Sequence, residues 1–431
     1  MTTSDIARST GWRLSAELPG GLANTLLRYG ASACGPVAVS GAHFLTSLVF
    51  LRNLSAHEFG LFSFVMVVVS FGMSLNGALI TVPLTRHLAA RTDGGEDRQP
   101  ACFLMNWLVC AGFAALLFAA LLCGHASLKV AGLLALFASV FTFRWFARCF
   151  AFVDGRIAAA VMSDLAYSLF LTGVLAILAF THQVSFVHGG EMLLLAALAA
   201  LAPFGSDFFR TQLAAMMVSP RRYWPIFRDL SRWSLTGVIL TEVTVNAHAY
   251  LVTFLSGPGA FALLALGMLL MRPASLMQSA LSDLERPAMT RAIAAGHMVR
   301  LSRIQRQFTW GLVAAWLANL LLCAVVLGFF PLLVLKKGYV LDQVVPVTLL
   351  SSVIIAIRAW RTPLAVQLQA AGRFKELAGI GTISAALSVF ATFALLLMLG
   401  PIASLGGIVL GELVILAKVI QMTRGSKQSH G

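Results

Sequence analysis

The sequence predicts an all-α polytopic membrane protein, and three observations carry that reading. Of its 431 residues, 59% are hydrophobic and only 11% are charged, a balance unlike that of a water-soluble domain. The apolar residues come in runs of about 20, the length a helix needs to cross the hydrocarbon core, rather than the alternating runs of about 10 that build a membrane barrel. The 31 Lys and Arg residues, set against 17 Asp and Glu, collect in every second loop.

Taken in order, the apolar runs give twelve spans, at 31–51, 61–82, 101–123, 128–149, 159–181, 191–217, 234–255, 260–281, 309–333, 343–367, 377–399 and 402–423. The longest connections are too short for a separate soluble domain. The chain therefore divides into an N-terminal tail (1–29), a first six-helix bundle (30–217), a linker (218–233), a second six-helix bundle (234–423) and a C-terminal tail (424–431). The tail 1–29 has arginines but no short apolar stretch with a small-residue cleavage site, and reads as a retained cytoplasmic segment.

Assigning each basic residue to its nearest side puts 27 of 31 on one face and leaves Arg52, Lys129, Lys336 and Lys337 on the other. By the positive-inside rule the basic face is cytoplasmic, and both termini lie there. The net charge of +14 thus reports topology and attraction to membrane lipids, with no nucleic-acid partner. The six cysteines lie in or beside spans with no CxxC pair, so they read as small apolar residues and no metal site is assigned. No phosphate loop of the GxxxxGK[ST] type is present, which argues against ATP hydrolysis.

The chain repeats itself. A shift of 205 places Ala42-His43 on Ala247-His248 and the segment 84–90 on 289–295; a shift of 217 places Arg144 on Arg361 and Gly155-Arg156 on Gly372-Arg373. The segment "FFPLLVLKKGYV" and a longer eighth-to-ninth loop absorb the difference. Because six is even, both halves enter the membrane in the same orientation, and a pseudo-two-fold axis along the membrane normal relates them. The ligand path then runs between the halves. His43 and His248 stand at equivalent positions on the first helix of each half, roughly 20 Å from the cytoplasmic edge by helical rise. Each either faces the cleft or bonds within its own bundle.

Intramembrane arginines are costly and mark partners, water or ligands. Arg144 and Arg148 lie four apart, Arg358 and Arg361 three apart, each pair on one face of the fourth helix of its half. Arg272 is the deepest, and Pro273 beside it frees a carbonyl and favours a kink. With Arg210, these six suggest a cationic chamber suited to a diphosphate, because a guanidinium fork binds phosphate oxygens in pairs. Arg148, Arg210 and Arg361 are also near enough to helix ends to snorkel. Of the buried acids, Asp164 and Glu242 are candidate partners or cavity-lining groups. Glu242 either pairs with an arginine such as Arg272 or exchanges a proton or cation.

The stretch "RYGASACGPVAVSGAHFLTSLVFLRNLSAHEFGLFSFVMVVVSF", with its helix, short "RNLSAHEFG" turn and second helix, together with the two-times-six arrangement, resembles the lipid-linked oligosaccharide flippases, the polysaccharide-exporter branch of the MATE-like superfamily. The resemblance covers nearly the whole chain. It implies alternating-access transport of a polyprenyl-diphosphate-linked oligosaccharide from the cytoplasmic to the outer leaflet of a bacterial inner membrane, for polysaccharide biosynthesis. Other polysaccharide-assembly proteins become candidate partners. No cofactor is implied, and coupling to a proton or sodium gradient stays open. A cation-coupled multidrug exporter of the same superfamily is the alternative, although cationic drugs would favour more carboxylates than arginines in the cavity. A membrane glycosyltransferase or polymerase ranks below both, since the outer loops are short and offer few acids; the chain is read as not an enzyme.

Overall fold

The computed structural model describes residues 22–84, 99–331 and 339–428. Among the described residues every regular element is helical. The first half contains α1 (Leu22–Asn53), α2 (Ala56–Asn76), α3 (Gln99–Cys123), α4 (Leu128–Val153), α5 (Ile157–Phe180) and α6 (Phe186–Ala199). The second contains α7 (Arg232–Ser256), α8 (Pro258–Leu270), α9 (Arg272–Ala294), α10 (Met298–Phe329), α11 (Leu341–Ala370), α12 (Phe374–Leu399) and α13 (Leu405–Gln428).

Local chemistry sets the boundaries. The "RNLSAHEFG" turn is a capping box: Ser55 Oγ accepts from the Glu58 amide, and Glu58 accepts from the Ser55 amide at 2.9 Å, which satisfies two orphan donors at once. Ser127 and Ser185 cap α4 and α6 with the hydroxyl half of this arrangement, their Oγ atoms accepting from the amides of Val130 and His188. On the opposite side Gly155, Gly372 and Gly296 take positive φ in the tight turns that join successive helices, a conformation only glycine adopts without strain.

Ten of the described helical segments are long and apolar enough to cross a bilayer, and α8 with α9 forms an eleventh, bent by 56°. The kink expected at Pro273 is thus a break: α8 ends at Leu270 and α9 restarts at Arg272. The structure differs from the sequence reading at two further points. The helix of the first span begins at Leu22, nine residues before the predicted start. The sixth span is interrupted, because Pro203 and Gly205 (φ +79°) end the ladder of α6 before a short helix, Ser206–Ala214. Most of the repeated segment 84–90, and Lys336 and Lys337 of "FFPLLVLKKGYV", lie outside the described residues.

Residues 218–233, between the two bundles, pack against the first half. Tyr223 and Ile226 are buried with Phe204, Phe208, Phe146 and Phe150. The hydroxyls of Tyr223 and Ser231 both donate to the Leu79 carbonyl, which lies in a π-helical turn, Gly77–Thr81, continuing α2. Burial pushes the Tyr223 phenol up to about 12, so it remains a neutral donor at ordinary pH.

The halves meet where α2 and α8 begin. A Cβ added at Gly60 would sit 1.8 Å from the Pro258 carbonyl oxygen, so the two backbones touch there. Phe64 adds edge-on ring contacts to Tyr250 and Phe254 of α7, at 5.8 and 5.7 Å. Gly60→Val is expected to wedge this end apart, costing about 1–3 kcal/mol of packing. A cysteine at Phe64 would then label faster with a membrane-impermeant maleimide; unchanged labelling would show that the closure does not depend on the close approach.

Candidate functional site

Between the halves lies a cavity of about 500 Å³. Its first-half wall comes from α1 (Ser40, His43, Ser47), α2 (Phe62, Met66, Ser70), α4 (Arg144, Arg148) and α5 (Asp164). Its second-half wall comes from α7 (Asn246), α8 (Phe261, Met268) and Arg272 at the start of α9.

The arginines of α4 are held by one carboxylate. Arg144 Nη1 donates to Asp164 Oδ1 at 2.9 Å and to Ser163 Oγ at 3.3 Å, and Arg148 Nε donates to Asp164 Oδ2 at 2.7 Å. The Arg144 guanidinium lies 4.8 Å from the ring centroids of both Phe141 and Tyr167; Arg148 lies against Trp145 and Phe152. These aromatic faces favour a cation withdrawn from water. Gly35 makes the arrangement possible, because a Cβ there would sit 2.3 Å from Asp164 Oδ2. One surplus positive charge is left on the wall.

Arg272 is different. Its side chain is exposed into the cavity, and among the described residues it has neither an ion pair nor a hydrogen bond. It stands at the first position of α9, where unpaired amides and the helix dipole favour an anion. Counted together, Arg144, Arg148 and Arg272 face a single carboxylate around the cavity.

His43 proves to be both satisfied and cavity-lining: its Nε2 lies 2.7 Å from the Tyr167 hydroxyl, and its ring packs on Phe141 and Tyr167. His248 does not face it across the cleft. It is fully buried, with Nε2 at 3.3 Å from Met268 Sδ. Glu242 accepts from the Tyr250 hydroxyl at 2.6 Å, in place of the pairing with Arg272 considered above. It lies one turn from Asn246 on α7, beside the cavity rather than in its wall.

Three of the six arginines lie elsewhere. Arg358 and Arg361 are held by Glu412 of α13, through Oε1 at 2.7 Å and Oε2 at 2.9 Å, and are not in the cavity wall. Arg210 is 81% exposed on the short helix after α6 and pairs with Asp207 at 3.6 Å. Its run of apolar residues reads as membrane in the sequence, and the short helix does pack on the first half through Phe208 and Gln212, but Arg210 is on its outer, exposed face, away from the cavity. Glu412, 1% exposed, is the arginine partner the sequence reading missed. Its signal was a carboxylate alone inside the apolar run 405–417. No group of three or more metal-ligating side chains occurs among the described residues.

Asp164→Ala strands two buried cations and is expected to lower stability by about 3–5 kcal/mol, read as a large drop in the melting temperature of detergent-purified protein. Asp164→Asn, which retains one acceptor, is expected to cost less. A melt unchanged by Asp164→Ala would mean that the arginines find other partners.

No protein-family model matches the sequence, and no curated protein matches it. Solved structures do match over nearly the whole chain. An inward-facing multidrug-resistance MATE transporter of the MOP superfamily superposes with a TM-score of 0.62 at 14% identity, covering 90% of this chain and 95% of its own. A eukaryotic MATE transporter gives 0.60 at 14%, covering 94% and 96%. The lipid II flippase MurJ in an inward closed conformation gives 0.57 at 12%, covering 91% and 87%. The chain therefore has the two-bundle, MATE-like transporter fold.

Proposed function

We propose that this multi-pass membrane protein is a flippase for a polyprenyl-diphosphate-linked oligosaccharide, working in polysaccharide biosynthesis at a bacterial inner membrane with both termini in the cytoplasm. The observation that carries the reading is the charge of the cavity: three arginines against one carboxylate, with Arg272 unpaired. A diphosphate brings the missing negative charge, and a guanidinium fork binds it in pairs of hydrogen bonds. Serines of α1 and α2 offer hydroxyls for sugar. The volume falls within the usual range of ligand sites, roughly 300–1,000 Å³. Transport needs no bond-making residues, and polysaccharide-assembly proteins of the same membrane are the natural partners.

Multidrug export is the second reading, favoured by one feature: the wall is rich in methionine and aromatic side chains, including Met66, Met73, Met268, Phe44, Phe62 and Trp145, which suit varied apolar cargo. Purified protein in liposomes separates the two readings, by translocation of a fluorescent polyprenyl-diphosphate oligosaccharide against accumulation of cationic dyes. Arg272→Ala is expected to lower lipid-diphosphate transport by about tenfold or more while leaving the melting temperature near that of the parent, because no buried carboxylate loses its partner. Arg272→Lys is expected to recover part of the activity. Full transport by the alanine variant would exclude Arg272 from binding.

Energy for the cycle is assigned to a proton or sodium gradient, with Glu242 as the exchanging group. Its bond to Tyr250, which itself touches Phe64 of the other half, places the carboxyl where relative motion of the halves changes its surroundings. Glu242→Gln is expected to retain substrate binding yet lose the response to an imposed gradient. An undiminished response in that variant would remove Glu242 from coupling.

A further inference from the structure

A stripe on α10, outside the cavity and independent of what the cavity carries, is built like a lipid. Arg300, Arg303 and Arg306 lie three apart on the exposed face of its first turns, and none has an ion pair or hydrogen bond among the described residues. The buried face of the same turns is apolar, with Leu301, Phe308 and Leu312 in the core. Three like charges on one face repel each other unless a counter-anion is held between them. Farther along that face come Trp310, then Leu317 and Leu321, all exposed. The positions 303, 310 and 317 are seven apart, so they stack along the helix axis.

Trp310 fixes the depth. Its ring meets Trp360 of α11 at 6.4 Å between centroids; both are more than half exposed, and neither indole N–H has a partner among the described residues. Exposed tryptophans with a free donor belong at the membrane interface. By helical rise Arg306 and Arg303 stand roughly 6 and 10 Å beyond Trp310, at the height of lipid phosphates, while Leu317 and Leu321 stand below it among acyl chains. From this order of arginine, indole and leucine we infer that the α10–α11 face is a binding site for an anionic glycerophospholipid: Arg303 and Arg306 take the phosphate, whose charge no headgroup cation offsets, the indoles donate to the glycerol region, and the leucines meet the acyl chains.

The test uses the full chain in phosphatidylcholine bilayers containing a minor fraction of brominated phosphatidylglycerol or, separately, brominated phosphatidylcholine. The tryptophan quenching assigned to Trp310 and Trp360 is the difference between the parent and a Trp310→Phe/Trp360→Phe variant. Each arginine beside an anionic surface contributes about a fivefold preference, so phosphatidylglycerol is expected to quench these two at least about tenfold more effectively per lipid. Arg303→Gln/Arg306→Gln is expected to bring the two lipids level, and Arg303→Lys/Arg306→Lys to keep most of the preference, with melting temperatures confirming that both variants fold. Equal quenching by the two lipids in the parent would overturn the inference. So would a preference that survives the glutamine variant, or one abolished by a small amount of polyprenyl diphosphate, which would give the site to that lipid instead.

Discussion

In each half of the molecule one buried carboxylate holds two arginines of a single helix, and the remaining architecture is arranged around that constraint. A lone guanidinium in a helix bundle is costly, and two within one turn also repel each other. Asp164 resolves this on the first side by giving one oxygen to Arg144 and the other to Arg148; Glu412 does the same for Arg358 and Arg361 on the second. These bonds tie α4 to α5 and α11 to α13. Because breaking such a bond leaves a stranded charge, they favour each half behaving as a unit.

The contacts between the halves are of another kind. Where α2 meets α8 they consist of a backbone touching a backbone at Gly60 and aromatic edges at Phe64, without a salt bridge among the described residues. Apolar contacts of this sort separate without leaving a charge behind, so the fold concentrates its costly interactions inside the halves and its cheaper ones between them. The segment 218–233 follows the same division. Tyr223 and Ser231 fasten it to Leu79 of the first half, which puts the change from one body to the other at the start of α7.

The sequence displayed the apolar spans, the repeated segments, the arginine pairs and a distortion at Pro273, because each leaves a local mark: a run length, a shift, a spacing, a proline. Pairing was harder to read. The shift of 217 relates Arg144 to Arg361, but their carboxylates sit on α5 and α13, which the shift does not relate. A core position can be reached from any neighbouring helix, so a partner need not repeat with the residue it serves. Arg210 misled for another reason: hydropathy places a residue within a run but does not say which face of the helix it occupies, and the turn at Pro203-Gly205 leaves Phe208 inward and Arg210 outward. His43 and His248 share a register, yet only one lines the cavity, since register fixes height along a helix and packing decides which way a ring turns.

Arg272 and the break beside it are best understood as one feature. A continuous helix would bury the ladder at this depth; here Pro273 has no amide to give, and α9 starts afresh with its first amides free of helix partners. A cation at a helix start is opposed by the dipole, and among the described residues no carboxylate pairs with this one to compensate. Such a combination is unfavourable for the empty protein and becomes favourable when an anion arrives, because the guanidinium and the helix terminus then act on the same charge. The two carboxylates that hold the other four deep arginines in place therefore sharpen the site as well as stabilise the bundles. By holding Arg144 and Arg148 within the wall, Asp164 leaves Arg272 as the cavity arginine without a carboxylate partner among the described residues, which is the physical ground for proposing an anionic cargo.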